Sequence, residues 1–182
     1  MCIATKVGLL SHMDVNGLKA LSKVEIPQLA KNLALKDIGF LVECLAEKDE
    51  NIRYPAFLLL QASSREFPFV YRYWDVLESK LGSDNSYQRS SGLKLISENV
   101  RWDKDGKFAK TLNKYLSCCA DEKFITARQA IQGLANIIAA TSAYNDEIKR
   151  NLTNLPLAKY KASQQKLLRK DVSSIIEVID KK

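Results

Sequence analysis

Arg89-Ser90-Ser91-Gly92-Leu93-Lys94-Leu95-Ile96 is the stretch on which the fold turns. Gly92-Leu93 places a small residue before a large one, and Ile96 adds a second large residue four positions after the small one. On a helix, Leu93 and Ile96 share a face. The small residue lets a neighbouring helix come close, and the two large ones fill the gap. The same pattern stands 36 residues earlier at Ala56-Phe57 with Leu60, and 38 residues later at Ala130-Ile131 with Leu134. A fainter copy, Gly17-Leu18 with Leu21, precedes Ala56 by 39 residues. A single helix pair cannot bury such a face alone, so units of this period are expected to stack.

The segments around these copies read as helices. Ile38, Leu41, Val42 and Leu45 fall at i, i+3, i+4 and i+7. Phe108, Leu112, Tyr115 and Leu116 repeat the stripe, Leu152 and Leu155 close a shorter helix near Pro156, and Leu167 to Ile179 form a last one. No run alternates with period two. The breaks are short. Pro27 is expected to start a short helix, Pro68 to sit in a first helical turn, and Gly106 to take a left-handed conformation in the turn Asp103-Lys104-Asp105-Gly106. No break is long enough to be a linker. The expectation is one domain over 1–182, with an irregular N-terminal cap at 1–35, repeats at 36–155 and a C-terminal capping helix at 156–182.

The chain of 182 residues has the composition of a water-soluble globular domain, with 46% hydrophobic and 27% charged residues. Its net charge of +7 is uneven. Residues 1–100 carry 12 basic and 12 acidic side chains, whereas residues 101–182 carry 16 and 9. A basic half can attract nucleic acid or acidic protein surfaces. Residues 1–17 lack the pattern of a secretory signal, no stretch reads as a membrane span, and the four cysteines show no CxxC spacing. A reduced cytoplasmic location is the expectation.

Arginines recur with the pattern. Arg53 and Arg89 precede their small residue by three positions and Arg128 by two, and Asp49, Asp84 and Asp121 lie upstream. This period, with its acid and Arg positions, resembles HEAT repeats, in which such residues often form a ladder between neighbouring units. The resemblance tightens at Ser83-Asp84-Asn85-Ser86-Tyr87-Gln88-Arg89 with Arg101-Trp102-Asp103-Lys104-Asp105. It continues at Asp121-Glu122-Lys123 with Ile125-Thr126-Ala127-Arg128-Gln129, and at Lys159-Tyr160-Lys161 with Lys170-Asp171. Over residues 37–175 these motifs are similar to small HEAT-like proteins of Gram-positive bacteria, some labelled SufBD. The resemblance implies an all-α solenoid of about four to five helix pairs in a bacterial cytoplasmic protein, and it brings no activity with it. SufB and SufD proteins themselves resemble large β-helices, and no such strand repeat is present here.

Common catalytic patterns are missing. His12 is the one histidine, which excludes HExxH zinc sites and any triad not built on it. The seven glycines form neither GxGxxG nor a P-loop. Asp103 to Asp105 fail as a calcium loop, because Leu112 stands where the bidentate Glu belongs. Cys118-Cys119 offers too few thiolates for an iron–sulfur cluster and reads as core.

The chain is therefore expected to be a non-enzymatic protein-binding or scaffold module, with no catalytic residue, metal, cofactor or small-molecule substrate. Its concave face would carry Arg53, Arg89, Arg128 and Trp102. The alternative is nucleic-acid binding through the basic C-terminal half. A HEAT-type DNA glycosylase using Trp102 and Asp103, or an iron–sulfur assembly role, stands further off.

Overall fold

A computed structural model describes residues 13–181. His12 and Cys2 lie outside the described residues. Among those described there are ten α-helices, three short 3-10 segments and no strand. Two compact units divide the chain, and the boundary after Ser63 falls within a helix.

The first unit holds α1 (Val15–Ala20), α2 (Ile26–Ala30), α3 (Leu35–Cys44) and most of α4 (Glu50–Glu66). The Asp14 carboxylate accepts the Gly17 amide at 2.7 Å and starts α1. Pro27 sits in the first turn of α2, where its missing N–H costs no helical bond. Leu18, Ile38, Leu41, Leu45, Ala56, Leu59 and Leu60 are fully buried. Ala56 and Leu60 thus serve the core as the repeat pattern requires. Pro55 lies inside α4, which runs through it.

The second unit holds α5 (Trp74–Lys80), α6 (Ser86–Asn99), α7 (Lys107–Ser117), α8 (Phe124–Ala140), α9 (Asn145–Thr153) and α10 (Ala162–Asp180). Pro68 does not open a helical turn here. Residues 67–70 form a turn, Tyr71–Tyr73 wind as a 3-10 segment, and the α-helix begins at Trp74. Bonds of the i→i+3 type, from the Tyr71 amide to Pro68 and from the Tyr73 amide to Val70, keep that lead-in tight.

Alternate helices make a continuous row: α6 packs on α8, and α8 on α10. α5 lies against α6, and α9 against α10. Gly92 permits the α5–α6 approach, because a Cβ there would stand 2.8 Å from the Leu77 carbonyl oxygen. A chain of edge-to-face aromatic contacts joins the other helices. Trp74 meets Phe108 at 6.3 Å, and Phe108 meets Tyr115 at 5.9 Å and Tyr144, just before α9, at 5.2 Å. Trp74 is buried, and its indole N–H donates to Thr111 at 3.0 Å. Gly106 takes φ 66°, and the Asp103 carboxylate caps α7 by accepting the Lys107 and Phe108 amides at 2.9 and 2.8 Å. Cys44, Cys118 and Cys119 are buried free thiols.

Candidate interaction surface

Arg89 stands in the first turns of α6 and is 8% exposed. Its guanidinium is fully engaged. Nε and Nη2 donate to the two oxygens of Asp121 at 2.6 and 2.8 Å, a bidentate fork reaching from α6 to the start of α8. Nη1 donates to the carbonyls of Ser83 and Asp84 at 2.7 and 3.0 Å. Burial works to raise the Asp121 carboxyl pKa. The hydrogen bonds from Arg89 and from the Lys123 amide outweigh that effect and hold it below the ordinary value.

Arg128 makes the next rung. Its Nε donates to Asp171 of α10 at 2.7 Å, and Gln132 donates to the same oxygen at 3.2 Å. Arg53 is half-buried, and its Nη1 donates to the Glu47 and Lys48 carbonyls at 3.0 and 3.2 Å. Trp102 is half-buried in a 3-10 turn after α6, and its N–H donates to the Ser64 carbonyl at 2.7 Å.

Within the second unit, Arg89, Arg128 and Trp102 do not converge on one place. Arg89 and Trp102 lie near opposite ends of α6, 13 residues apart, which is about 20 Å along a helix. Arg89 and Arg128 join neighbouring helices of the row by pairing with acids; the Arg89 donors point into the protein, whereas the Arg128 side chain stays one-third exposed.

Sequence reading missed several polar contacts in the same row. Glu98 is buried on α6 and accepts from Arg65 at 2.9 Å, with Arg101 at 3.7 Å. Asn99 is buried and donates to Ser64 and to the Leu95 carbonyl. The signal was present: Ser97-Glu98-Asn99 interrupts an otherwise apolar helix face, and buried polar groups require partners. Tyr115 was read only as apolar. Its hydroxyl donates to the Ala130 carbonyl at 3.2 Å, in the space that the absent side chain of Gly133 leaves free.

What the row presents to solvent is different in character. On α8 the stripe is Ile125, Gln129, Gln132, Asn136 and Ala139, at i, i+4, i+7, i+11 and i+14. The facing part of α6 contributes Ser90 and Lys94, both half-buried. Small polar contacts tie the two helices beneath it, with Ser90 and Thr126 hydroxyls 3.3 Å apart and Asn136 donating to Ser97 at 3.5 Å. Among the described residues, Gln129 Oε1 is buried without a hydrogen-bond donor. Elsewhere, a shallow groove of about 360 Å³ runs between α7 and α9, lined by Asn113, Ser117, Glu147, Arg150 and Asn151 among others. There the Ser117 hydroxyl donates to the Lys114 carbonyl at 2.7 Å. No group of three His, Cys, Asp or Glu among the described residues could hold a metal ion. No described helix is long and apolar enough to cross a membrane.

Compared with protein-family models and with curated protein sequences, the chain matches none.

Proposed function

We propose that this chain is a HEAT-like α-solenoid acting as a non-enzymatic binding or scaffold module, and that it takes a protein partner along the stripe of α6 and α8. In this reading the second helix of each pair lines the inner, concave side of the stack.

The observation that carries the proposal is how the charges are distributed. Arg89 and Arg128, which a nucleic-acid reading would aim at phosphates, are engaged by Asp121 and Asp171. The solvent-facing stripe holds amides, a hydroxyl, Ile125 and Ala139, with Lys94 and the acid-paired Arg128 as its cations. Amides donate and accept in equal measure, which suits a polypeptide better than a polyanion.

The test is affinity capture from native cell lysate with the full chain. Ile125→Glu and Ala139→Glu both lie at exposed positions of the stripe. They should abolish capture of a protein partner without lowering the melting temperature, and nuclease treatment should leave capture intact. Capture that nuclease removes, or that both substitutions leave unchanged, would overturn the reading.

A further inference from the structure

Among the described residues, α10 and the loop before it carry a cluster of cations without ion pairs. Between Glu147 and Asp171 the sequence carries seven cations and no carboxylate. Arg150 lines the groove between α7 and α9, and the structure separates the other six into two sets. Lys149 pairs with Asp180, and Lys159 donates to the Ala120 carbonyl while lying over the Tyr160 ring. Lys161, Lys166, Arg169 and Lys170 are all exposed, and none takes part in an ion pair among the described residues. Arg169 reaches only Gln165, at 3.4 Å.

Two of the nearest carboxylates are engaged elsewhere, and Glu177 lies two turns beyond Lys170. Asp171 follows Lys170 directly, yet it turns to Arg128 and Gln132. Asp121 is held by Arg89. On α10, Lys166, Arg169 and Lys170 fall at i, i+3 and i+4, so the three project from one face, with exposed Ser163 and Ser173 on either side. From Lys161 to Lys170 the patch extends about 14 Å along the axis.

We infer that this face of α10 binds the phosphate backbone of a nucleic acid, without reading its sequence. A duplex presents about one negative charge per 1.7 Å of axis, an array dense enough to meet all four cations together. The face has no aromatic side chain on which a base could stack, so the contact stays with the backbone. A lipid surface fits less well. The apolar side of α10, Leu168, Ile175 and Ile179, is buried in the protein, leaving no wide apolar face to enter a bilayer. This surface adjoins the α6–α8 stripe, where Gln132 meets Asp171, but the inference does not depend on the role proposed for that stripe.

Fluorescence anisotropy with a labelled duplex of about 20 base pairs tests this across a salt series. The full chain should bind at low salt, with log K falling against log salt at a slope of about −3 to −4. The pair Lys166→Gln and Lys170→Gln should weaken binding roughly 10-fold at low salt and make the slope shallower by about 2. Glu177→Lys, which adds a cation at another exposed position of α10, should tighten it. No binding at low salt, or an unchanged affinity and slope in the double variant with its melting curve intact, overturns the inference. So does binding to phosphatidylserine vesicles or polyglutamate without binding to the duplex.

Discussion

Arg53 and Arg89 address the same pair of backbone carbonyls, those six and five residues upstream of each. For Arg53 these are Glu47 and Lys48, and for Arg89 they are Ser83 and Asp84. Each carbonyl pair belongs to the turn inside a helix pair, between α3 and α4 or between α5 and α6. The arginine therefore closes its own turn, satisfying turn carbonyls that lie beyond the end of the preceding helix. Arg128 sits one position nearer its small residue. One residue on a helix is a rotation of about 100°, which carries it away from the equivalent carbonyls and toward Asp171.

A lysine cannot hold two carbonyls and a carboxylate together, because it lacks the planar fork. Arg89→Lys should cost about 2 kcal/mol despite keeping the charge. Urea unfolding of the two proteins measures the difference, and equal midpoints would show that the fork is dispensable.

Asp121 gives the fold an acid sensitivity whose sign is fixed. Burial alone would raise its pKa, but the Arg89 and Lys123 hydrogen bonds leave it below its ordinary 3.8. A carboxylate with a depressed folded-state pKa contributes fully above its unfolded value, and that contribution disappears as pH falls through the lower folded value. The melting temperature should therefore drop steeply from about pH 4 toward pH 2. Asp121→Asn should be less stable at neutral pH and should lose part of that slope. A variant with the parent slope would assign the acid sensitivity to other groups.

Gly133 and Tyr115 should behave as one unit. A Cβ at Gly133 would stand 2.2 Å from the Tyr115 hydroxyl oxygen. Gly133→Ala should destabilise by about 2 kcal/mol, even though alanine is the better helix former. Adding Tyr115→Phe removes the clashing oxygen and should restore a good part of the loss. Thermal melts of both single variants and the double variant decide this, and additive losses would contradict it.

The thiols should be inert in the folded chain. Burial raises the pKa of Cys118 and Cys119, and burial aided by Glu47 and Glu43 pushes that of Cys44 up to about 11. Since the thiolate is the reactive form, site-resolved mass spectrometry after brief iodoacetamide exposure should find all three unmodified until denaturant is added. Labelling of Cys118 in the native protein would contradict its burial.

Much of the architecture was legible because it rests on periodicity. The recurrence of Ala56, Gly92 and Ala130 with large residues at +1 and +4 placed three helices, and Gly92 has the close neighbour that the pattern demands. Pro68 was misread because a first helical turn and a turn leading to a 3-10 segment both accept proline. The segment's contacts lie far along the chain, where the Tyr71 hydroxyl donates to Asp103 at 2.7 Å. The arginines could be located from sequence, but their partners could not. Asp171 is 43 residues from Arg128, and nothing local marks it as the acid that Arg128 meets.

Arg89, held by Asp121 and by the carbonyls of its own turn, belongs to the architecture and not to a ligand surface. A double-mutant cycle with Arg89→Ala and Asp121→Ala, read by urea unfolding of the full chain, tests it most directly. Each single change should cost about 3 kcal/mol, and the double change should cost less than their sum by about 1.5 kcal/mol or more. Single variants as stable as the parent, with no coupling between them, would contradict it.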